Sequence, residues 1–527
     1  MSQIMLRGVT FAYDGTYDNI FEDLNLNIDT DWRLGFIGRN GRGKTTFLKL
    51  LTGELYCSEI VHAPGLRFDY FPFEITNPQR ASIDLVRELI APYDAMHERL
   101  KALAEAGDEH SMELYGELLE EFIALDGYII DELIESEAGK LQIDKEALTR
   151  PFSSLSGGEQ VKLQLCALFL KKNNFLLIDE PTNHLDSKGR KTIAKYLASK
   201  SGFILVSHDR RFLDESVDHI LSFNRSKIAL QKGNYSSWEE NKRRQDEFEI
   251  EANNRLKKEI ASLSEAARRA GEWAADTERS KKGAADKGYV GHMAAKMMKR
   301  SKSIEGRKLN ASQEKQTLLR NIETSDPLKI HPLIHPQNIL ISCRNFCVNI
   351  DGQPLFSPLC FQITAGRQYV VRGVNGSGKS TLLKALSGNH SDCSGELIVA
   401  SGLIISHVFQ HNDHLSGSLS SLCRRCGIDE SLFKSILRKM DFSRLQFEKN
   451  IEDFSEGQKK KVMLAVSLCE KAHIYIWDEP LNFVDLPSRL QLEALICASK
   501  PTMIFVEHDA LFCERIKAEE IFIERRL

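Results

Sequence analysis

The chain has 527 residues, of which 42% are hydrophobic, 8% aromatic and 27% charged, a composition typical of soluble globular proteins. That length predicts about three to four domains. The 70 Lys and Arg against 74 Asp and Glu leave a net charge of −4, which predicts no polyanionic partner unless basic residues cluster locally. Apolar runs are too short to cross a bilayer, no signal peptide is evident, and the 11 cysteines are scattered along the chain without histidine partners. We therefore expect a cytoplasmic protein with reduced thiols and no membrane domain.

A Gly-rich motif, GRNGRGKTT, lies near the start of the chain between the strand-like run WRLGFIG and the apolar run FLKLL. This context predicts a phosphate-binding loop. Its glycines let backbone N–H groups converge on phosphate oxygens, its lysine reaches the β/γ-phosphates, and the following hydroxyl can bind Mg²⁺. The predicted loop comprises Gly38, Arg39, Asn40, Gly41, Arg42, Gly43, Lys44, Thr45 and Thr46, with Thr45 as the Mg²⁺ ligand.

Three further motifs follow in the first half: LSGGEQ at 155–160, FLLIDEPTNHLD at 175–186 and FILVSHDRRF at 203–212. Asp179 ends a buried strand and is predicted to hold Mg²⁺. Glu180 is predicted to orient or deprotonate the attacking water, and His208 to donate to the γ-phosphate. Before these motifs, residues 82–150 are rich in Leu, Ala and Glu, which predicts a helical arm or a plain longer helical subdomain with no partner.

Residues 239–325 carry no nucleotide motif. The spacing of their apolar side chains predicts two antiparallel helices that form a coiled-coil-like hairpin. From Arg279 to Lys308 there are ten Lys or Arg against Asp286 and Glu305, so this stretch carries +8 in a chain whose total is −4. A run of charged residues usually marks a solvent-exposed face, but such faces carry both positive and negative side chains. We therefore predict that the distal hairpin contacts a phosphate backbone.

The second half repeats all four motifs in the same order. Lys379 lies 335 residues after Lys44, and the distance from Ser156 to Glu180 equals that from Ser455 to Glu479, 24 residues. The second phosphate-binding loop comprises Gly373, Val374, Asn375, Gly376, Ser377, Gly378, Lys379, Ser380 and Thr381. Ser380 and Asp478 are the predicted Mg²⁺ ligands here, and Glu479 and His508 the predicted catalytic pair. The chain is therefore a duplicated domain and not a solenoid.

This set of motifs resembles the ATP-binding-cassette superfamily, in which two cassettes sandwich two ATP molecules. The resemblance implies an α/β fold with two tandem ABC-type P-loop ATPase domains, at 1–238 and 326–527, joined by a long helical hairpin linker at 239–325. It implies ATP and Mg²⁺ as cofactors and a monomer with intramolecular cassette pairing. It also implies that Ser455, Glu456 and Gly457 complete the site built on Lys44, while Ser156, Gly157 and Gly158 complete the site built on Lys379.

Two departures from the superfamily pattern predict unequal sites. Gln410 fits the Q-loop of the second half, whereas the matching place in the first half holds Phe73. Tyr13 is expected to stack on adenine in the first half, whereas its second-half equivalent is expected to be Val348. Both sites retain the lysine, aspartate, glutamate and histidine, so neither is expected to be inactive.

Two fused cassettes without a membrane span, joined by a charged hairpin, resemble the ABC-F family of translation factors, whose members bind the ribosomal E site. GRNGRGKTT, SEGQKKKV, WDEPLNFVD and MKRSK are similar to the antibiotic-resistance branch, especially the Lsa/Vga/Sal-like group. This resemblance implies rRNA and P-site tRNA as partners and an arm directed to the L1 stalk side. It implies a linker tip near the drug site that comprises Lys281, Lys282, Lys287, Tyr289, Val290, His292, Met293, Lys296, Lys299 and Arg300.

Three functions remain open at this stage. The first is a ribosome-protection ATPase that relieves inhibition by lincosamides, streptogramin A and pleuromutilins. The second is a housekeeping ABC-F factor that relieves intrinsic stalls. The third is the ATPase of an ABC transporter, although fused importer cassettes lack a basic hairpin of this length. For Tyr289 and Met293, ordinary packing in the hairpin turn is an equal alternative to drug-site contact.

Overall fold

The structure is a computed structural model. It describes residues 3–13, 19–40, 43–57, 59–106, 108–172, 174–183, 185–223, 228–280, 292, 295–296, 298–300, 302–310, 327–350, 352–388, 392–410 and 415–524. The chain divides into two compact units. The first comprises Met1–Phe223, Leu230–Tyr235 and Ser325–Leu527, and the second comprises Asn224–Ala229 and Ser236–Thr324.

The first half of the sequence builds two sheets within the first unit. A three-stranded antiparallel sheet has the order β2-β1-β4, and a six-stranded sheet has the order β5-β6-β7-β3-β8-β9. The strands are β1 (Gln3–Phe11), β2 (Phe21–Asp29), β3 (Arg33–Gly38), β4 (Ile60–Val61), β5 (Arg67–Phe71), β6 (Asn174–Asp179), β7 (Phe203–Val206), β8 (His219–Phe223) and β9 (Ile228–Lys232). Strands β6 and β7 are continuous apolar runs, as expected for parallel strands that are buried on both faces.

Within the described residues of the first half, nine α-helices accompany these sheets. They are α1 (Lys44–Thr52), α2 (Ser82–Ile90), α3 (Tyr93–Ala106), α4 (Glu109–Ala124), α5 (Ile130–Lys140), α6 (Lys145–Thr149), α7 (Gly157–Leu170), α8 (Ser187–Ala198) and α9 (Arg210–Ser216). Helices α2 to α6 occupy the segment where the sequence predicted a helical insert. The Tyr93 hydroxyl donates to the Leu125 carbonyl at 2.7 Å and joins the start of α3 to the end of α4.

The second half repeats this plan with a four-stranded sheet and a five-stranded parallel sheet of order β15-β16-β17-β13-β18. Its strands are β10 (Ile339–Ile350), β11 (Gln353–Pro354), β12 (Leu359–Thr364), β13 (Gln368–Arg372), β14 (Cys393–Val399), β15 (Ile405–Val408), β16 (Ile474–Asp478), β17 (Met503–Val506) and β18 (Glu519–Phe522). The core between this sheet and its helices is dense and aromatic, with Tyr475, Trp477 and Phe505 at most 1% exposed.

The helices of the second half follow the second phosphate-binding loop and the later motifs. We number them α11 (Lys379–Leu386), α12 (Leu419–Cys426), α13 (Glu430–Lys439), α14 (Glu456–Cys469), α15 (Leu486–Ser499) and α16 (Ala510–Ile516). In both halves, the central strand order places β3 or β13 beside the strand that carries the histidine motif. The carboxyl ends of these parallel strands therefore gather the motif residues at one edge of each sheet.

The second compact unit contains the long helix α10 (Tyr235–Ser280) from Ser236 onward and a further helical stretch at 302–310. Lys308 Nζ donates to Ser264 Oγ at 3.1 Å, so these two helical stretches lie side by side. Charged i,i+4 pairs such as Arg269 with Glu265 line the outer surface of α10, as is typical of an exposed helix. Among the residues that the structure describes, no helix is both long and apolar enough to cross a membrane.

Candidate functional site

Each phosphate-binding loop turns into its helix through a glycine with a left-handed backbone. Gly43 has φ +87° and Gly378 has φ +95°. A Cβ atom at Gly43 would lie 2.5 Å from Ile20, and one at Gly378 would lie 2.4 Å from Leu355. Both positions therefore require glycine, because a side chain would clash and would strain the backbone. Gly41 and Arg42 of the first loop lie outside the described residues.

The two loop lysines are buried at the first position of their helices. Lys44 Nζ donates to the carbonyls of Gly38 at 2.6 Å and Arg39 at 3.2 Å, and Lys379 Nζ donates to the first two carbonyls of its own loop at 2.9 and 3.1 Å. Burial lowers the pKa of both lysines, while nearby carboxylates oppose the shift. Each ammonium group is thus desolvated at a helix N-terminus, where it can bind a phosphate strongly.

Two acidic residues follow one another at the end of the corresponding strand in each half. Glu180 has φ +48° and Glu479 has φ +46°, so both glutamates adopt a left-handed backbone that is unfavourable for this residue type. The same strain at both positions fixes the direction of each carboxylate relative to the preceding aspartate. Strained backbone of this kind concentrates at active sites, where it orients a reacting group.

The paired aspartates have the surroundings expected of Mg²⁺ ligands. Burial raises the pKa of Asp179 and of Asp478. The Tyr70 hydroxyl donates to Asp179 Oδ2 at 2.8 Å, and the buried Oδ1 of Asp478 has no hydrogen-bond partner among the described residues. A buried oxygen without a donor, next to the hydroxyl of Ser380, fits a hard cation with oxygen ligands.

Each histidine lies beside the glutamate of its own half. His208 Nε2 is 3.5 Å from Glu180 Oε1 and 3.2 Å from Asn40 Oδ1, and His508 Nε2 is 3.8 Å from Glu479 Oε1. Burial lowers the pKa of His208 far below its ordinary value and that of His508 to about 3, with nearby cations adding to both shifts. Both rings are therefore neutral at pH 7, and each keeps one N–H for donation to a phosphate oxygen.

Gln410 connects two groups of the second site. Its Nε2 donates to Glu479 Oε2 at 3.2 Å, and its Oε1 accepts from Ser380 Oγ at 3.4 Å. The strand registers pair Phe71 with Ile178 and Val408 with Trp477, which are equivalent positions. Two residues further on, Phe73 occupies the place in the first half that Gln410 occupies in the second.

The serine of each LSGGEQ-type motif caps the helix that follows it. Ser156 caps α7 and Ser455 caps α14, each in a capping box with the residue three positions later. A cavity of about 1060 Å³ brings the first signature together with the second phosphate-binding loop. Its lining includes Ser156, Gly157, Gly158, Asn375, Gly376, Lys379, Ser380, Thr381, Gln410 and Glu479. The structure thus assembles the second site from both halves of the chain.

The first site is also assembled across the two halves, but its walls are in direct contact. Asn40 Nδ2 donates to the Phe483 carbonyl at 2.9 Å, and the Asn40 amide donates to Asp485 Oδ2 at 3.4 Å. A Cβ atom at Gly457 would lie 2.9 Å from Asn40 Nδ2, so the second signature lies against the first loop. Lys461 forms a buried ion pair with Asp485 and, although burial opposes the shift, lowers the pKa of that carboxyl.

The expected adenine-stacking position of the second half requires a correction. Tyr13 lies at the first site, where its hydroxyl is 3.1 Å from Thr46 Oγ1 and 43% of the residue is exposed. Val348, its expected counterpart, is fully buried in the core. Ile350 lines the second cavity instead and is 48% exposed. The expected equivalence was wrong by two residues, because Val348 lies inside β10 and packs in the core, whereas Ile350 ends the strand, where the chain reaches the cavity.

The structure describes part of the predicted linker tip. Lys281, Lys282, Lys287, Tyr289, Val290 and Met293 lie outside the described residues. His292, Lys296, Lys299 and Arg300 are described, are helical and are exposed. Of the described residues between 292 and 310, six are Lys or Arg and one is acidic, so the exposed helix surface is basic.

Four residues that contact the sites were not predicted from the sequence. Tyr70 binds Asp179, and Lys460 Nζ donates at 3.0 Å to the Asp478 carbonyl behind the second site. Burial lowers the pKa of Lys460 to about 8. Arg489 and Arg210 each donate a hydrogen bond to a residue of the other half of the chain. The run of three lysines in SEGQKKKV was the available signal for Lys460, whereas nothing local distinguishes Arg489 or Arg210.

Three comparisons relate the chain to known proteins. A sequence profile described as ABC transporter matches residues 21–183 and 356–482. The energy-dependent translational throttle protein EttA of Haemophilus influenzae is 28% identical over 94% of this chain and 88% of its own length. ABC transporter F family member 2 of Arabidopsis thaliana is 26% identical over 98% of this chain and 75% of its own length.

Among solved structures, the archaeal ribosome recycling factor aABCE1, in complex with the stalk protein aP1, aligns with a TM-score of 0.54. The alignment covers 94% of this chain and 84% of that one at 17% identity. The RNase-L inhibitor aligns with a TM-score of 0.52 over the same shares of both chains, also at 17% identity. At this level of identity the alignments show a shared fold of two similar domains.

Proposed function

The chain belongs to the ABC transporter family, whose ATPase domain it carries twice, and we propose that it is an ABC-F ATPase that acts on the ribosome. ATP binding and ATP hydrolysis follow from the family. The ribosomal role rests on one observation above the others, which is the set of basic helical residues described at 292–310, between the two cassettes in the sequence. Among them, Lys296, Lys299 and Arg300 are exposed.

The basic segment fits a nucleic-acid backbone better than it fits a protein surface. Six cationic side chains against one acidic side chain between 292 and 310 produce a local positive field, although the chain as a whole carries −4. Phosphate groups attract such a field strongly and without sequence preference. The relatives support ribosomal RNA as the source of the phosphates, since EttA is named as a translational throttle protein and aABCE1 as a ribosome recycling factor. This role implies a cytoplasmic location.

In the proposed mechanism, each ATP lies between the loop of one cassette and the signature of the other. Lys44 and Lys379 bind the β/γ-phosphates, and the signature serine and glycine amides bind the γ-phosphate from the opposite side. Bound Mg²⁺, held by Thr45 with Asp179 and by Ser380 with Asp478, supplies charge neutralisation of the phosphates. The neutral His208 and His508 donate to the γ-phosphate.

Glu180 and Glu479 complete the mechanism by orienting and deprotonating the attacking water. The strained backbone of each glutamate directs its carboxylate beside the histidine of the same site. Closure around ATP completes both sites, and hydrolysis removes the γ-phosphate contact that the signature made. ATP thereby favours the ribosome-bound closed arrangement, and hydrolysis drives release.

The finer part of the proposal concerns what the bound protein does. We propose that the linker relieves antibiotic inhibition at the peptidyl-transferase centre, for lincosamides, streptogramin A and pleuromutilins. The support is the similarity of GRNGRGKTT, SEGQKKKV, WDEPLNFVD and MKRSK to the antibiotic-resistance branch. A housekeeping factor that relieves intrinsic stalls would use the same sites and the same basic linker.

Sedimentation through a sucrose cushion tests the ribosomal role. The double variant Glu180→Gln with Glu479→Gln keeps the lysines that bind ATP but lacks the residues that activate water. We expect it to pellet with ribosomes when ATP is present and to remain in the supernatant without nucleotide. Equal pelleting of the variant with and without ATP would contradict the proposal. So would the absence of pelleting at both low and high salt. The Lys44→Ala with Lys379→Ala variant, which loses the phosphate ligands, is the control.

Drug susceptibility separates the two ribosomal roles. Expression of the wild-type chain in a susceptible host should raise the inhibitory concentration of at least one of the three drug classes. The double glutamine variant at equal expression should not. Unchanged susceptibility to all three classes, together with ATP-dependent pelleting, would establish the housekeeping alternative.

A further inference from the structure

A buried ion pair joins the two cassettes at one side of their interface. Arg210, at the first position of α9 in the first cassette, is 1% exposed, and its Nη2 donates to Glu493 Oε2 of α15 in the second cassette at 2.8 Å. The same nitrogen is 3.7 Å from Asp509 Oδ2, which is also 1% exposed. Although burial opposes it, Asp509 and Glu493 raise the pKa of Arg210, so the guanidinium stays charged.

A second arginine crosses the interface beside this pair. Arg489 Nη1 of the second cassette donates to the His208 carbonyl at 2.9 Å and lies 3.7 Å from Asp509 Oδ2. Arg515 Nη1 donates to the other oxygen of Glu493 at 2.8 Å and holds that carboxylate from the second cassette. The backbone that carries the histidine of the first site is therefore held from the opposite cassette.

The equivalent positions on the other side of the interface cannot form this pair. The matched motifs SHDRRF and EHDALF align Arg210 with Ala510. Ala194 aligns with Glu493, because each lies eight residues after the matched aspartate, Asp186 or Asp485. Ala194 and Ala510 both line a cavity of about 520 Å³ beside the second site. Arg190, the counterpart of Arg489, donates to Asp209 of its own cassette at 2.8 Å.

We propose that the Arg210–Glu493 pair is a clasp that keeps the first ATP site closed between turnovers, so that the cassettes separate mainly at the second site. A small separation at the first site would pull two buried charges apart before water could solvate them. The same movement would break the contacts of Arg489 with His208 and of Asn40 with Phe483. At the second site the two alanines offer no ionic resistance, and the cavity already separates the surfaces.

The clasp makes a prediction about the rate at which each site releases ATP. In Glu180→Gln, ATP labelled on its γ-phosphate survives at the first site, and in Glu479→Gln it survives at the second site. After a chase with unlabelled ATP, release from the first site should be the slower of the two. Adding Arg210→Met should speed release from the first site by about tenfold or more and should change release from the second site less than twofold.

A matched control lies on the same helix. Arg211 also reaches across the interface, with Nη1 3.9 Å from Glu514 Oε1, but its side chain is 44% exposed. Because exposed pairs contribute little, Arg211→Met should leave both release rates unchanged. Arg210→Lys, which keeps the charge, should restore part of the slow release. A purely structural role for Arg210 would instead change both sites together.

The double variant Arg210→Met with Glu493→Met keeps the test valid if Arg210→Met alone unfolds. Replacement of a buried pair by apolar side chains of similar volume is often neutral for stability. We expect its melting temperature to match the parent and its first site to release ATP as fast as in the single variant. Equal release from both sites in the parent, or an equal effect of Arg210→Met on both, would overturn the clasp. These assays contain no ribosomes, so their outcome is independent of the ribosomal proposal.

Discussion

At the scale of single residues, the two sites differ in the groups around an otherwise repeated set of lysine, aspartate, glutamate and histidine. The first site has Phe73 where the second has Gln410, and Tyr70 binds its aspartate. Phe73 packs under the ammonium group of Lys171, 4.9 Å from the ring centroid, and so serves the surrounding structure. Thr45 and Glu180, the proposed Mg²⁺ ligand and water-activating residue of the first site, therefore lack the amide bridge that Gln410 forms in the second.

Phe73→Gln should transfer that bridge to the first site. A glutamine there can accept from Thr45 and donate to Glu180, as Gln410 does with Ser380 and Glu479. In the Glu479→Gln background, where only the first site hydrolyses ATP, we expect kcat to rise by a few-fold, within the ~10² range of a positioning contact. Loss of the Lys171 contact should cost about 0.5 to 1 kcal/mol of stability. Phe73→Leu, which adds no amide, should leave kcat unchanged or lower.

Glu180 makes stability depend on pH. Burial and the neighbouring Asp179 raise its pKa from 4.5 to about 7. The folded protein thus holds this proton more tightly than the unfolded chain, and its stability falls as pH rises from 4.5 to 7. Glu180→Gln stays neutral, so its stability relative to wild type should rise by roughly 1.4 kcal/mol per pH unit in that window.

Denaturant unfolding in EDTA without nucleotide, from pH 4.5 to pH 8, measures this difference. The exposed Glu117→Gln is the control, since it removes an equal charge from the surface of α4. A stability difference between Glu180→Gln and wild type that stays constant with pH would show that Glu180 is already ionised in the folded protein.

At the scale of elements, the capped N-termini of α7 and α14 serve both stability and the site of the opposite cassette. Ser156 and Ser455 each accept from the backbone N–H three residues later and form a reciprocal capping box. The cap fixes the first turn of the helix, and residues of that turn lie beside the loop of the other cassette. One short motif therefore stabilises its own helix and completes a site on its partner.

Ser156→Ala should destabilise the helix in its own cassette and weaken ATP retention only at the site built on the loop of the other cassette. Loss of the cap should cost about 1 kcal/mol of stability. ATP retention should weaken at the second site, in the Glu479→Gln background, but not at the first, in the Glu180→Gln background. Ser455→Ala should show the reverse pattern. Filter-binding with γ-labelled ATP measures both, and a loss confined to the variant's own cassette would contradict the crossed assignment.

At the scale of the whole molecule, charge is distributed unevenly along the chain. The cassettes and the inserted helices carry the acidic excess, whereas the described residues at 292–310 carry a net positive charge. This separation lets a protein with a net charge of −4 bind a polyanion through one element. The closed contact between the cassettes belongs to the first compact unit alone, because both halves of the motif set lie within it.

Neutralising Lys299 and Arg300 to Gln should weaken binding to ribosomes and its dependence on salt. Each lost phosphate contact should reduce the slope of log affinity against log salt concentration by about 1. ATP hydrolysis without ribosomes should be unchanged, since neither residue belongs to the ATP sites. Lys191→Gln with Lys195→Gln on α8 removes the same charge elsewhere and should keep the parent slope. An unchanged slope for the linker variant would show that these two residues do not touch phosphate.

Sequence alone predicted the fold class and the family, and both predictions are confirmed at the level of two ABC-type ATPase domains. The reason is physical. Residues that are contiguous in sequence form each phosphate-binding loop, each carboxylate at a strand end and each serine at a helix start. The local sequence therefore determines the geometry of these features. The role of the linker and of the drug-site residues stays a prediction, because it depends on a partner.

Only the tertiary structure decided which residues meet across the cassettes. Arg210 and Glu493 are 283 residues apart, and Asn40 and Asp485 are 445 apart. From sequence alone, an arginine or glutamate on a helix is predicted to be exposed to solvent, and only the tertiary packing shows that these two are buried. Ile350 in place of Val348 has a related cause, because the two residues lie only two positions apart on β10 and only the packing shows which is buried and which reaches the site. The motif residues of each site can therefore be identified from the sequence, whereas the contacts that make the two sites unequal arise from long-range packing.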